Sequence, residues 1–353
     1  MNKTTIRVVG VILVIAAFLI ISECTKKEKP LLGSSDAASA VYVAPGDYDE
    51  FYSFMSGGFS GQVSVYGLPS GRLFKQIPVF SVFPENGYGF TEETKGMLQT
   101  SFGQIPWDDA HHPELSQTDG VPDGRWLFIN ANNTTRVARI DLKTFETAEI
   151  IEIPNSGGNH GSPFITQNTE YVIASTRFSV PIPQQDVSIQ TYKENFFGTL
   201  TFIKVDPDEG YMNIAFQILV PGYDYDLAHA GKGPSHGWAF FTCYNTEQAN
   251  TLLEVNASKN DKDFIAAVNW KLAEKYLAEG KGKTRPGEHY TNRMNDNTHS
   301  SVSELGKTVT ILDPADCPGL IYYLPTPKSP HGVDVDPSGE YIVGGGKLAA
   351  VVS

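Results

Sequence analysis

With 353 residues, the chain exceeds one ordinary compact domain and can stay a single domain only if it is built from repeats. Its 40 acidic side chains against 27 basic ones leave a formal charge of −13, which repels phosphate backbones and excludes nucleic acid as a partner. The 33 glycines and 22 prolines, with 20 Phe, 16 Tyr and almost no helical periodicity, indicate short punctuated strands and an all-β chain.

The N-terminus is basic and then apolar over residues 8–21, the length of a signal-peptide core and short for a membrane span. Residues 1–24 are therefore expected to act as an export signal, and the lack of an arginine pair favours the general secretory route. Leu19-Ile20-Ile21-Ser22-Glu23-Cys24 resembles a lipoprotein processing box, with Glu23 where a small residue is usual. Either Cys24 carries a lipid that anchors the chain to the membrane, or the signal is an ordinary one. Residues 25–50, charged or small and without period, read as a tether, and residues 51–353 as the folded part. Cys243 and Cys317 match no zinc spacing; they form a bridge or are buried small residues.

Strand patterns then recur. Gly61-Gln62-Val63-Ser64-Val65-Tyr66 and Arg72-Leu73-Phe74-Lys75-Gln76-Ile77 flank the turn Pro69-Ser70-Gly71. Runs at Trp126, Arg136 and Glu149 form one three-strand round, and runs at Tyr171, Gly198 and Asn213 the next. Another round starts at Trp238 and Phe264 and is interrupted by residues 271–279, a surface helix with Leu272, Tyr276 and Leu277 on one side and Gly280 as its stop. A last round begins at Leu320 and continues past Pro330 to Gly346. Divergent units of about 40–50 residues are the pattern of a β-propeller, with a sandwich as the alternative.

Into this pattern fall four histidines. In Asp108-Asp109-Ala110-His111-His112-Pro113, adjacent side chains on a strand would point apart, so a pair aimed at one ligand must lie on a loop or a strand entrance. His160 precedes the Tyr171 run and His331 precedes Tyr341-Ile342-Val343 by similar distances, as the pair precedes Trp126. If each following run is the inner strand of its unit, all four stand at one mouth of an axial channel. One histidine at a strand entrance is ordinarily a cap or packing residue; four at matching points suggest a metal. Neutral imidazoles without thiolates favour copper, zinc or iron, and in an exported chain copper, with Asp108 and Asp109 as acceptors for ring N–H groups. His229, His236, His289 and His299 read as structural or exposed, with Ser235-His236-Gly237-Trp238 the one that also precedes a strand.

Asp109-Ala110-His111-His112-Pro113 with Ser116-Gln117-Thr118-Asp119-Gly120, Asn159-His160-Gly161, and Pro325-Thr326-Pro327-Lys328-Ser329-Pro330-His331-Gly332, in this order, resemble the N-terminal propeller of the nitrous-oxide reductases. The likeness runs from about Gly57 to the last residue and includes Asn130, Arg136-Val137-Ala138-Arg139-Ile140 and Thr242-Cys243-Tyr244-Asn245. The signal type and an insertion around residues 228–238 resemble the secretory-route branch of that family. The resemblance implies a periplasmic, seven-bladed propeller carrying a tetranuclear copper–sulfide cluster held by seven histidines, followed by a cupredoxin domain with a dinuclear copper centre. Four of the seven correspond to His111, His112, His160 and His331; the others, with the later blades and the electron-entry domain, would lie beyond Ser353, so the chain reads as a fragment inactive alone. It also implies a calcium site formed by Tyr244, Glu247, Asp263, the Val255 carbonyl and Ser329, and a further carboxylate above the cluster, Asp224 or Asp226.

The activity implied is two-electron reduction of nitrous oxide to dinitrogen and water, the last step of denitrification, with Asp109 assisting protonation. Electrons would come from a c-type cytochrome or a cupredoxin, through the dinuclear centre of the other subunit of a head-to-tail homodimer. The competing expectations are an exported propeller binding module whose histidines are structural, and a hydrolase or lyase with one metal ion.

Overall fold

The computed structural model describes residues 37–161, 164–244, 263–294, 300–326, 330–346 and 352. The expected export signal lies outside them. No helix among the described residues is long and apolar enough to cross a membrane. Two compact units are present, one of Met1–Ser53 with Gly67–Arg72, the other of Phe54–Tyr66 with Leu73–Ser353. In the small unit the Asp49 carboxylate accepts hydrogen bonds from Ser70 N (2.9 Å), Ser70 Oγ (2.8 Å) and Arg72 Nη2 (3.1 Å).

Strands β1 (Phe51–Ser56), β2 (Gln62–Leu68) and β3 (Leu73–Pro78) form a three-stranded sheet, and β4 (Gln99–Thr100) pairs only with β5 (Gly103–Gln104). Four-stranded antiparallel meanders follow. The first is β6 (Ala110–Thr118), β7 (Val121–Ala131), β8 (Arg136–Asp141) and β9 (Glu146–Glu152). The second is β10 (Phe164–Ile165), β11 (Tyr171–Ser175), β13 (Phe196–Val205) and β14 (Met212–Pro221), with β12 (Val180–Pro181) paired to β13. A third runs β15 (Asp224–Ala230), β16 (Trp238–Tyr244), β17 (Phe264–Asn269) and, after an inserted hairpin of β18 (Lys283–Met294) and β19 (Ser301–Leu312), β20 (Ile321–Pro325). The pair β21 (Pro330–Val335) and β22 (Ile342–Gly346) begins a fourth.

The first strands of successive meanders touch, β6 against β10, β10 against β15 and β15 against β21. Meanders that gather their first strands side by side are the construction of a β-propeller, and the sandwich alternative falls. One expectation needs correction. The runs at Trp126 and Tyr171 are β7 and β11, the second strands of their meanders, and Tyr341 likewise leads into the second strand, β22. The inner strands are those on which, or just before which, the histidines sit. They escape pattern reading because β6 is mostly polar and half-buried and β10 is two residues long.

The hairpin β18–β19 was not foreseen, because its residues are largely polar and exposed and carry no alternation. It lies between two meanders: β18 pairs antiparallel with β9 and β19 parallel with β14. Its anchor is Glu149, which is fully buried and accepts from Arg293 Nε (2.6 Å), Arg139 Nε (3.4 Å) and Met212 N (2.9 Å). Three donors offset the cost of burying the carboxylate.

Around the second and third meanders the core is aromatic. Phe202 and Phe216 stack at 4.6 Å, and the Tyr171 ring meets both edge-on as well as Trp270. Trp270 opens the helix Trp270–Ala278, one residue earlier than the periodicity indicates, capped by the Asn269 side chain accepting from Leu272 N. Its buried face is Trp270, Ala273 and Tyr276, with Leu272 and Leu277 half-buried beside it. Cys243 and Cys317 are free thiols, both buried, so the bland reading of the two cysteines holds.

Replacing Phe202 with Ala is expected to cost about 3–5 kcal/mol of stability in urea unfolding. Burial pushes the Cys243 thiol far above its ordinary range. Neither Cys243 nor Cys317 should react with a thiol reagent until the chain is unfolded, and labelling under native conditions would contradict this placement.

Candidate metal centre

The His111-His112 pair owes its position to the residue before it in the acidic dipeptide. Asp108, 1% exposed, folds back on the turn after β7. Its Oδ1 accepts from Asp109 N (2.7 Å), Asn133 N (3.1 Å) and Asn133 Nδ2 (3.0 Å). Its Oδ2 accepts from Thr134 N (2.8 Å) and Thr134 Oγ1 and faces Arg136 Nη2 at 3.4 Å. Arg136 is fully buried. Asp108 therefore does not serve a histidine ring, contrary to expectation: its neighbour on an extended chain points the other way, and that neighbour, Asp109, has Oδ1 3.5 Å from His111 Nδ1. His112 then bends with φ +23°, an infrequent conformation for a side-chain-bearing residue, which turns its ring beside that of His111.

His160 arrives on a loop that runs against residues 177–178, with Gly157 N donating to Phe178 O and Arg177 N to Gly158 O, both at 2.9 Å. Gly161 adopts φ +54°, and a Cβ there would collide with the Asp226 carbonyl, so only glycine lets the loop pass this close to β15. The close approach sets His160 Nδ1 on Asp226 Oδ1. The other oxygen, Asp226 Oδ2, lies 3.7 Å from His331 Nε2. Of the two carboxylates expected as alternatives near the cluster, Asp226 is the one beside the rings. Asp224, two residues earlier, is the first residue of β15 and pairs with Tyr244.

Among the described residues, His111, His112 and His160 bring ligand atoms to within 4.8 Å of one another. Ring centroids lie 4.6, 4.8 and 5.2 Å apart. His111 Nε2 and His160 Nε2 are 3.2 Å apart. Since Asp109 and Asp226 take the Nδ1–H of these two rings, both Nε2 atoms present lone pairs to each other. Two ring nitrogens at that distance can share a proton or a metal ion. His112 Nε2 is buried with no hydrogen-bond partner. Burial, with the neighbouring imidazoles, pushes the His112 pKa down to about 4, so its lone pair is available. Two nitrogens bound at about 2.0 Å to one tetrahedral ion lie about 3.3 Å apart. Three neutral imidazoles thus fit a borderline metal such as copper or zinc. His331 is less enclosed, its side chain 44% exposed, and joins the group through Asp226.

Beside His112 opens a cavity of about 300 Å³, whose walls include Phe164, Leu227, His229 and Asp334. The remaining histidines do other work. His229 Nδ1 and His289 Nδ1 meet the carbonyls of Ala230 and Gly287, both at 2.9 Å. His236 Nε2 meets Glu170 Oε1 at 2.8 Å. His299 lies outside the described residues. So do Glu247, Val255, Ser329 and the side chain of Tyr244 from the expected calcium set; Asp263 is buried just ahead of β17. Missed by sequence reasoning were Asn132 and Arg177. Asn132 Nδ2 donates to Asp109 Oδ2 (3.2 Å), and Arg177 Nη1 donates to Asn132 Oδ1 (3.1 Å). Contacts between such distant positions leave no local signal.

No family model matches the chain. It is 33% identical over 330 residues to a nitrous-oxide reductase of Pseudomonas fluorescens, covering 93% of this chain and 47% of the relative. To those of Stutzerimonas stutzeri and Cupriavidus necator it is 31% and 29% identical, covering 90% and 89% of this chain and 46% of each relative. The chain spans about half the length of the curated relatives it matches. Among solved structures, a Kuenenia stuttgartiensis hydrazine synthase aligns with a TM-score of 0.42 at 12% identity, over 86% of this chain and 79% of that one. The Dos1 propeller aligns with a TM-score of 0.38 at 9% identity, over 83% and 62%.

Replacing Asp108 with Ala strands the Arg136 guanidinium in the core. A loss of about 3–5 kcal/mol in urea unfolding is expected, and a loss under about 1 kcal/mol would show that the pair does not hold this turn.

Proposed function

This chain is a homologue of the nitrous-oxide reductases over most of its own length, and we propose that, as part of a longer protein, it supplies His111, His112, His160 and His331 to a multi-copper sulfide site that reduces nitrous oxide to dinitrogen and water. The observation that carries the reading is the convergence of three imidazoles, with ligand atoms within 4.8 Å of one another and His111 Nε2 and His160 Nε2 3.2 Å apart. Bound copper would supply two electrons and a Lewis-acidic edge for a substrate that is a weak ligand.

The chain's own residues prepare that edge. Asp109 and Asp226 hold the Nδ1–H of His111 and His160, which fixes the tautomers and aims both Nε2 atoms inward. Reduction consumes two protons as well as two electrons, and Asp109, 4% exposed beside His111, is the carboxylate placed to assist their delivery. The cavity beside His112 gives a small neutral molecule room next to the rings. Within this reading the protein is periplasmic, with Cys24 as the point of a lipid anchor in one form of the signal. Electrons reach the site from a c-type cytochrome or cupredoxin through a dinuclear copper centre of a partner subunit in a head-to-tail dimer. Calcium is held by Tyr244, Glu247, Asp263, Ser329 and the Val255 carbonyl, oxygen donors that suit a hard cation.

The test uses the chain itself. Loaded with copper anaerobically and desalted, it should retain metal that His111→Ala and His160→Ala variants lose by at least about tenfold. Equal copper in the variants, or none in the parent chain, overturns the reading in favour of a propeller binding module with structural histidines.

A further inference from the structure

The geometry points to Arg177, from the neighbouring meander, and Asn132, from the turn after β7, as positioning residues that set the His111 ring, and with it the gap between His111 and His160, by clamping Asp109. The proposal rests on the reading of the histidine group as a metal site. The Asp109 carboxylate is the only acceptor that the structure gives the His111 Nδ1 among the described residues, and at 3.5 Å that contact is long. A long contact orients a ring only if the carboxylate itself cannot rotate. The Asp109 backbone N donates to Asp108 Oδ1 (2.7 Å), and Asn132 holds the residue twice more: the Asn132 backbone N donates to Asp109 O (2.9 Å) and the Asn132 amide donates to Asp109 Oδ2 (3.2 Å). The last of these bonds leaves Oδ1 for His111.

An asparagine amide can turn over, exchanging its oxygen and nitrogen, and would then present an acceptor to Asp109. Arg177 prevents this. Its Nη1 donates to Asn132 Oδ1 at 3.1 Å, and because a guanidinium only donates, the amide oxygen must face Arg177 and the amide nitrogen must face Asp109. The polarity of the chain Arg177 to Asn132 to Asp109 to His111 is thereby determined end to end. Arg177 also reaches the other arm of the site, since its backbone N donates to Gly158 O, two residues before His160. One residue of the β11 exit thus seats the loop that carries His160 with its main chain and steers the ring of His111 with its side chain. The two rings whose Nε2 atoms stand 3.2 Å apart are referenced to the same point.

Four variants test the assignment. Arg177→Met keeps the stem and removes the donor, Arg177→Lys restores a donor, Asn132→Leu removes the amide, and Asp109→Asn gives the reference for a lost acceptor. In the metal-free chain labelled with 15N-histidine, His111 should be the Nδ1–H tautomer in the parent and in Arg177→Lys. It should become a tautomer mixture in Arg177→Met and Asn132→Leu, whereas Asp109→Asn, whose amide nitrogen must then face the ring, should shift His111 to the Nε2–H tautomer. With copper(II) alone as probe, Arg177→Met and Asn132→Leu should bind about 10–100-fold more weakly than the parent, and Arg177→Lys should recover most of that loss. Urea unfolding of each variant separates orientation from folding. A wild-type His111 tautomer in both Arg177→Met and Asn132→Leu overturns the proposal, as does a copper loss that follows stability and is not rescued by lysine. If the parent chain binds no copper, the metal reading fails while the tautomer measurement still decides the clamp.

Discussion

The Asp108 carboxylate and the turn after β7 form the contact on which the site depends. Asp108 accepts from Asp109 N and from the backbone N–H of Asn133 and Thr134, and it neutralises the buried Arg136 guanidinium. Burying such a charge is costly unless its donors are all supplied, and here the donors come from one compact turn. That turn and the His111-His112 entrance are thereby tied through a single side chain. Asp109 is consequently directed toward the rings, and His112 is held at a positive φ that an untethered loop would relax.

The rest of the site follows from the gathering of first strands. β6, the loop before β10, β15 and β21 come from four successive meanders, and each contributes a polar group where ordinary core strands contribute aliphatic ones. Those groups come as acceptors opposite imidazoles: Asp109 with His111, and Asp226 with His160 and, at longer range, His331. A carboxylate at Nδ1 of the His111 and His160 rings restricts the freedom of those two rings to turn. The consequence is a group of three imidazoles whose ligand atoms lie within 4.8 Å of one another, a suitable arrangement for a metal.

Away from the site, stability comes from a different source. Stacked Phe202 and Phe216, the Tyr171 ring and Trp270 form an aromatic centre, with the Tyr171 hydroxyl donating to Glu274 Oε1 at 3.0 Å. The hairpin β18–β19 is the opposite case, a largely exposed element attached to the first two meanders through β-pairing and the buried Glu149 with Arg293 and Arg139. The inner strands thus carry the histidines and their acceptors beside core residues such as Phe164, Tyr225 and Val333.

Much of this was legible in the residues. The alternation of Val63 and Val65 with Ser64 and Tyr66, the apolar runs of β7, β8, β11 and β13, the helix stopped at Gly280, and the His-His-Pro and His-Gly motifs are local patterns, and local chemistry reads them. The sequence by itself therefore determined an all-β, repeated architecture and named the histidines that converge. Only the tertiary structure decided which strands are inner, that Asp226 and not Asp224 stands behind His160, that Asp108 serves the turn while Asp109 serves the ring, and that Asn132 and Arg177 take part. Each of those choices depends on contacts between residues far apart in the chain, set by how meanders pack against one another, and no spacing along a single strand encodes them.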